Sequence, residues 1–215
     1  MKTWIRAVTL SAFALLPLLL MAQSAPQLTP FSADMQLSSQ RGGRPAHDVA
    51  GKMYVSQKHM RMDLQEPNLH SGAIIITNFA TQTTDTLIPD QHMYMEFSAD
   101  QAAARRPGMG PSIKPLKDPS NPCAGDPGSS CKKVGVEDVN GRSCDHWQIT
   151  DSQGKVSNVW VDQKLHFPIK SVTSDTSWQL SNIKEGEPEA SLFEIPSGYQ
   201  KMDLGQMMGG RPPQQ

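Results

Sequence analysis

Apolar and polar residues alternate with a period of two along most of the chain between Pro30 and Tyr199, and turn-forming residues interrupt the alternation every six to ten positions, the spacing of a β-meander. Phe31 to Ser39 is the first strand predicted. It ends at Arg41-Gly42-Gly43-Arg44-Pro45, where paired glycines favour a hairpin or a loop. Asp48 to Ser56 and His59 to Gln65 are separated by Gln57-Lys58 alone, so a tight hairpin pairs Val55 with Met60 and Met53 with Met62, and period-two alternation sets all four on one face with Leu64. Strands follow at Ala73 to Phe79, Thr83 to Ile88 and His92 to Phe97. In the last, Met93, Met95 and Phe97 face one way and His92, Tyr94 and Glu96 the other.

The pattern breaks between residues 98 and 133. Ser98-Ala99-Asp100 is placed to cap a short helix through Gln101-Ala102-Ala103-Ala104, after which six of the 17 prolines fall between Pro107 and Pro127. This segment reads as a proline-rich basic loop, with a net charge of +4 over residues 105–133. The meander then resumes. Val134 to Val139 and Arg142 to Thr150 flank Asn140-Gly141, whose ready access to positive φ suits a type I′ turn. Gln153-Gly154 marks the next turn, and Val156 to Val161 then sets Trp160 roughly opposite Trp147. Pro168 to Ser174 and Ser177 to Lys184 form a last hairpin with Trp178 and Leu180 on one face, followed by a short segment at Ala190 to Pro196. The fold class expected is mainly β (α+β): a curved antiparallel sheet, as a barrel or an open half-barrel, with one or two short helices.

The first residues do not belong to this pattern. Lys2 and Arg6 precede an apolar run from Ala7 to Ala22, and Ala22-Gln23-Ser24 supplies the small residues of a cleavage site, so residues 1–24 read as a secretory signal cut after about Ser24. The run is shorter than the ~20 residues that span a bilayer, and Pro17 interrupts it. The protein is therefore expected in the periplasm or outside the cell. Residues 25–204 read as one domain and the Gly/Pro/Gln-rich residues 205–215 as a disordered tail. In an oxidising compartment cysteines are disulfide partners first. Cys123 and Cys131 flank the turn-rich loop Ala124-Gly125-Asp126-Pro127-Gly128-Ser129-Ser130 and are the pair expected, which leaves Cys144 as a small apolar residue.

Composition narrows the function. With a formal net charge of -1, the 215 residues carry no basic excess of the kind that binds nucleic acid. No GxSxG, HExxH, GxGxxG or P-loop motif occurs, and Cys144 and His146, two residues apart on a strand, do not make a dyad, so neither an enzyme nor a cofactor is expected. Two blocks stand out: His59-Met60-Arg61-Met62 and His92-Met93-Tyr94-Met95. Thioethers and imidazoles together suit copper, but the pleat sends each histidine away from its neighbouring methionines. Methionines on one strand face instead make a pliable apolar wall.

Several segments carry a family resemblance. Val159-Trp160-Val161-Asp162, Phe167-Pro168-Ile169-Lys170, Leu180-Ser181-Asn182-Ile183-Lys184 and Phe193-Glu194-Ile195-Pro196-Ser197-Gly198-Tyr199 resemble the C-terminal half of exported bacterial proteins related to the lipoprotein carrier LolA (LolA/LppX type). Gly51-Lys52-Met53-Tyr54-Val55, Arg61-Met62-Asp63 and Ile88-Pro89-Asp90-Gln91-His92-Met93-Tyr94 are similar to the N-terminal meander of the same superfamily, many of whose branches are domains of unknown function. The resemblance implies an unclosed half-barrel whose concave apolar face holds acyl chains. The residues expected on that wall are Met53, Val55, Met60, Met62, Met93 and Met95, with area added by Trp147, Trp160 and Trp178. The partner expected is a hydrophobic or acylated ligand, met by a monomer, with an envelope protein or membrane surface as a further contact. An envelope sensor with a filled core and a Met/His copper protein are the competing readings.

Overall fold

A computed structural model describes residues 28–40, 47–65, 72–98, 101, 113 and 115–202. The expected signal segment (1–24), the glycine loop at 41–45, all but Gln101 of the short helix expected after Ser98, and the expected tail (205–215) fall outside these residues.

Twelve strands form one sheet: β1 (Phe31–Ser39), β2 (His47–Val55), β3 (His59–Gln65), β4 (Ala73–Asn78), β5 (Thr83–Ile88), β6 (Met93–Ser98), β7 (Ser130–Val139), β8 (Arg142–Thr150), β9 (Val156–Asp162), β10 (Phe167–Val172), β11 (Thr176–Glu185) and β12 (Gln200–Lys201). Their order is β12-β6-β5-β4-β3-β2-β1-β11-β10-β9-β8-β7. Two meanders, β1 to β6 and β7 to β11, are thus zipped together by the antiparallel pair β1–β11. Among the described residues the sheet does not close, and β7 and β12 are its edges. Helical structure among the described residues amounts to two 3-10 turns, Pro89–Gln91 and Ala190–Phe193, and the single helical residue Gln101.

Long-range contacts report the curvature. In a flat sheet β8 and β11 lie three strand spacings apart, roughly 14 Å. Arg142 of β8 nevertheless reaches Glu185 of β11 at 3.0 Å, and Asn140 of the β7–β8 turn donates to the Leu180 carbonyl at 2.7 Å. Bulges in β10 next to Pro168 and in β11 opposite Ala33 help bend the strands there. Gly51 matters for the same reason on the other half: a Cβ built on it would lie 2.3 Å from the Asp63 carbonyl oxygen, so only glycine lets β2 approach β3 so closely.

One end of the half-barrel is locked by a buried charge. Asp162 is 1% exposed and receives the Arg142 guanidinium, while its Oδ1 also accepts the N–H groups of Lys164 (2.8 Å) and Leu165 (2.7 Å). Burial raises the pKa of this carboxyl, but the guanidinium and the two N–H groups outweigh it and hold Asp162 below its ordinary range. Above the lock, Leu165, Phe167 and Ile169 pack in the main core with Phe31, Met53 and Val55. Cys144 lies fully buried beside it, its thiol pushed up to about 12 by burial and by the Asp162 charge, which leaves it an unreactive apolar side chain.

Cys123 and Cys131 form the expected disulfide, eight residues apart, tying the loop before β7 to the strand itself. Replacing Cys123 by serine should lower stability by about 2–3 kcal/mol, the loop-closure entropy for a ring of this size. Urea unfolding of the variant and the parent under non-reducing conditions measures it.

Candidate functional site

Directly paired residues of a sheet share a face, so the registers trace one surface across the molecule. Val55 pairs with Met60 and Met53 with Met62, as the hairpin pattern requires. The row then continues from Met62 to Ile75, Thr86 and Met95. Met93 pairs with Ile88 on the same face. In the other direction Met53 pairs with Ala33; one strand-step along β1, Met35 pairs with Leu180 and Leu37 with Trp178. From Trp178 the row runs through Ser171 and Val159 to Trp147. The six wall positions Met53, Val55, Met60, Met62, Met93 and Met95 therefore share one face with Trp147 and Trp178.

Trp160 does not. The β8–β9 register pairs Trp147 with Val159 and His146 with Trp160, so Trp160 lies on the opposite face. The physical reason is the turn. Its five residues, Asp151 to Lys155, close through Asp151 N–H to the Lys155 carbonyl, while Asp151 Oδ1 accepts from Gln153 and Lys155. That is one residue off the pairing expected from Gln153-Gly154, and a one-residue slip exchanges the faces. Instead of facing Trp147, Trp160 stacks on His146 (4.3 Å between centroids), donates to Glu137 at 2.8 Å and carries Lys170 over its ring at 4.4 Å.

Exposure along the shared face is graded. Phe31, Met53 and Val55 are fully buried and Met60 nearly so, whereas Met62, Ile75, Met93 and Met95 are half-buried. The centre of the face is packed core, and its accessible part lies over β3 to β6. At the other end Trp147 is buried with its indole N–H unpartnered among the described residues, and Lys133 lies 5.8 Å from its ring.

The opposite face of β3 to β6 is occupied by the chain itself, an element the pattern of strands did not reveal. Beyond β11 residues 187–202 cross it as a strap. Arg61 donates to the Leu192 carbonyl at 2.7 Å, His59 stacks on Phe193 at 5.4 Å, and β12 pairs in parallel with β6. The short segment expected at Ala190 to Pro196 holds a 3-10 turn, Ala190–Phe193, that meets β3 from outside. Burial, reinforced by the Lys58 charge, lowers the pKa of His59 and keeps it neutral against the phenyl ring. A cleft of about 380 Å³ lies between the strap and the β2–β3 turn, lined by Lys58, His59, Glu187, Phe193 and Glu194 among others. His92 packs on Tyr199 of the same strap. Both histidines of the His-Met blocks are thus engaged by the strap, with the strand methionines on the other face, and no cluster of three His, Cys, Asp or Glu residues able to hold a metal occurs among the described residues.

Fold and face together define an open β half-barrel with one largely apolar face, interrupted by Thr77, Thr84, Thr86 and Ser171. The chain belongs to the family described as Domain of unknown function (DUF4412), whose sequence pattern matches residues 33–166. No curated protein matches it in sequence. Among solved structures it is similar to an uncharacterized conserved protein from Thermus thermophilus, with 11% identity, 81% of this chain and 90% of that one covered, and a TM-score of 0.52. It is also similar to the MucA/MucB complex structure of Pseudomonas aeruginosa, with 12% identity, 84% and 60% covered, and a TM-score of 0.51; the chain spans 60% of the length of that relative. A LolA superfamily protein from Nitrosomonas europaea matches with 12% identity, 79% and 91% covered, and a TM-score of 0.42.

Proposed function

We propose that this protein is an exported, non-enzymatic carrier or sensor that holds a lipid, an acylated group or another hydrophobic ligand against the half-buried methionine strip of β3 to β6. The observation that carries this reading is the row Met62, Ile75, Thr86, Met95, with Met93 beside it: on one face, apolar but for Thr86, and still accessible where Met53 and Val55 are closed. Unbranched thioether side chains re-pack around acyl chains of different shape at low cost. The fold is also that of a protein whose structure was solved in complex with a protein partner, and the buried middle of the face favours, as second reading, an envelope interaction module that acts through its surface.

Titration with a fluorescent fatty acid separates the two. Saturable binding that falls at least about tenfold in Met62→Glu supports the strip, since burying an unpaired carboxylate against an acyl chain costs more than the ~1.4 kcal/mol that a tenfold change represents. Absence of binding by a folded protein, together with absence of co-purifying lipid in native mass spectrometry, contradicts the ligand reading and leaves the interaction module.

A further inference from the structure

The free edge β7 carries an order of charges that one partner fits: a second copy of itself. Its sequence is Ser130-Cys131-Lys132-Lys133-Val134-Gly135-Val136-Glu137-Asp138-Val139, two lysines and two carboxylates placed symmetrically about Val134-Gly135-Val136. The strand pairs with β8 on one side and, among the described residues, ends the sheet on the other. Val134 and Val136 are the most exposed large apolar side chains among the described residues, at 51% and 56%.

Exposed sheet edges present unpaired N–H and C=O groups, and lysines and bulges commonly guard them. Here both devices are present, with a bulge at Val134 between Lys133 and Gly135. The guard is selective, however. A neutral or basic strand laid on β7 meets the lysines, and a parallel copy sets lysine beside lysine and carboxylate beside carboxylate. An antiparallel copy lays the basic end of each strand along the acidic end of the other, with the valines in the middle, and meets no repulsion. Such a contact is two-fold symmetric, the commonest way in which identical chains associate.

The charges are available in unequal measure. Lys133 is paired with Asp145 at 2.7 Å, and Glu137 is held by His146 and Trp160. Lys132 and Asp138 have no ion-pair partner among the described residues, although Asp138 accepts the Gly141 N–H in the β7–β8 turn. We propose that β7 pairs antiparallel with β7 of a second copy, continuing the sheet across a two-fold axis near Gly135 and Val136, with Lys132 and Asp138 choosing direction and partner. The disulfide at Cys131 fixes the start of the edge at which pairing begins. A single-strand edge contact is small, below the ~1,200 Å² of standard interfaces, so the dimer is expected to be weak and concentration-dependent.

Sedimentation velocity over a concentration series tests this on the purified protein, with Lys132→Glu and Asp138→Lys as variants that leave the bonds of Lys133 and Glu137 intact. The parent should dimerise reversibly and lose affinity as salt is raised. Each variant alone should dimerise at least tenfold more weakly, because its edge now repels a copy of itself at two places. An equimolar mixture of the two should recover the parent's affinity. Asp138→Asn, which keeps an acceptor for the turn, controls for misfolding and should weaken the dimer less than Asp138→Lys. A parent that stays monomeric throughout the series overturns the proposal, as does a dimer that neither variant weakens, or a mixture that fails to recover.

Discussion

Replacing Asp162 by alanine is expected to destabilise the protein by about 3–5 kcal/mol, the cost of breaking a buried ion pair and leaving two backbone N–H groups without their acceptor. The side chain is 1% exposed and serves three donors at once: Arg142 and the N–H groups of Lys164 and Leu165. Its removal takes away the Arg142 guanidinium's more buried partner, leaving it Glu185 alone, and frees the 163–166 loop that carries Leu165 into the core. For a chain of this size the loss corresponds to a fall in Tm of roughly 10 °C. Asp162→Asn, which retains an oxygen for the N–H groups but not the charge, should lose less. The linkage has a definite sign. Asp162 is held below the ordinary carboxylate pKa of about 3.9 that it regains on unfolding, so its contribution is complete at neutral pH and fades as pH falls from about 4 through the folded-state value. Thermal unfolding of parent and Asp162→Asn should therefore differ most near pH 7 and converge in acid; a difference independent of pH would show that the charge is not what stabilises this end.

Phe31→Ala should have an effect of similar size, about 3–5 kcal/mol, because a phenyl ring removed from a packed core leaves a cavity as well as losing its transfer free energy. Phe31 is fully buried and meets Phe167 edge-to-face at 5.3 Å, on the strand that joins the two meanders. Phe31→Leu refills most of the volume and should recover more than half of the loss. Urea unfolding provides the measurement, and a Phe31→Ala protein within about 1 kcal/mol of the parent would mean that the two halves do not depend on this contact.

Much of this architecture is written in local pattern. The first strand, the pairing of Val55 with Met60 and Met53 with Met62, the Asn140-Gly141 turn and the Cys123–Cys131 bridge follow from alternation and turn chemistry, because short hairpins leave few registers to choose between. The β8–β9 register did not follow. The Asp151 carboxylate organises a five-residue turn in place of the one expected at Gln153-Gly154, and that single residue moves Trp160 to the other face. Contacts between elements distant in sequence were not legible at all. Nothing near Arg142 announces Asp162 or Glu185, and nothing in Ala190 to Tyr199 announces a strap on His59, Arg61 and His92. The accessible strip is legible only in part: alternation gives the face of Met62, Met93 and Met95, but which methionines remain open depends on the packing of the whole sheet.

The hydrophobic ligand is proposed to lie on the half-buried strip over β3 to β6. Photocrosslinking with an acyl chain bearing a diazirine, followed by peptide mass spectrometry, reads this directly. Labels on the peptides that contain Met62, Ile75, Met93 or Met95, competed away by unlabelled fatty acid, are the predicted result. Labelling confined to the strap side around Lys58 and Phe193, or label that fatty acid does not compete, would contradict it.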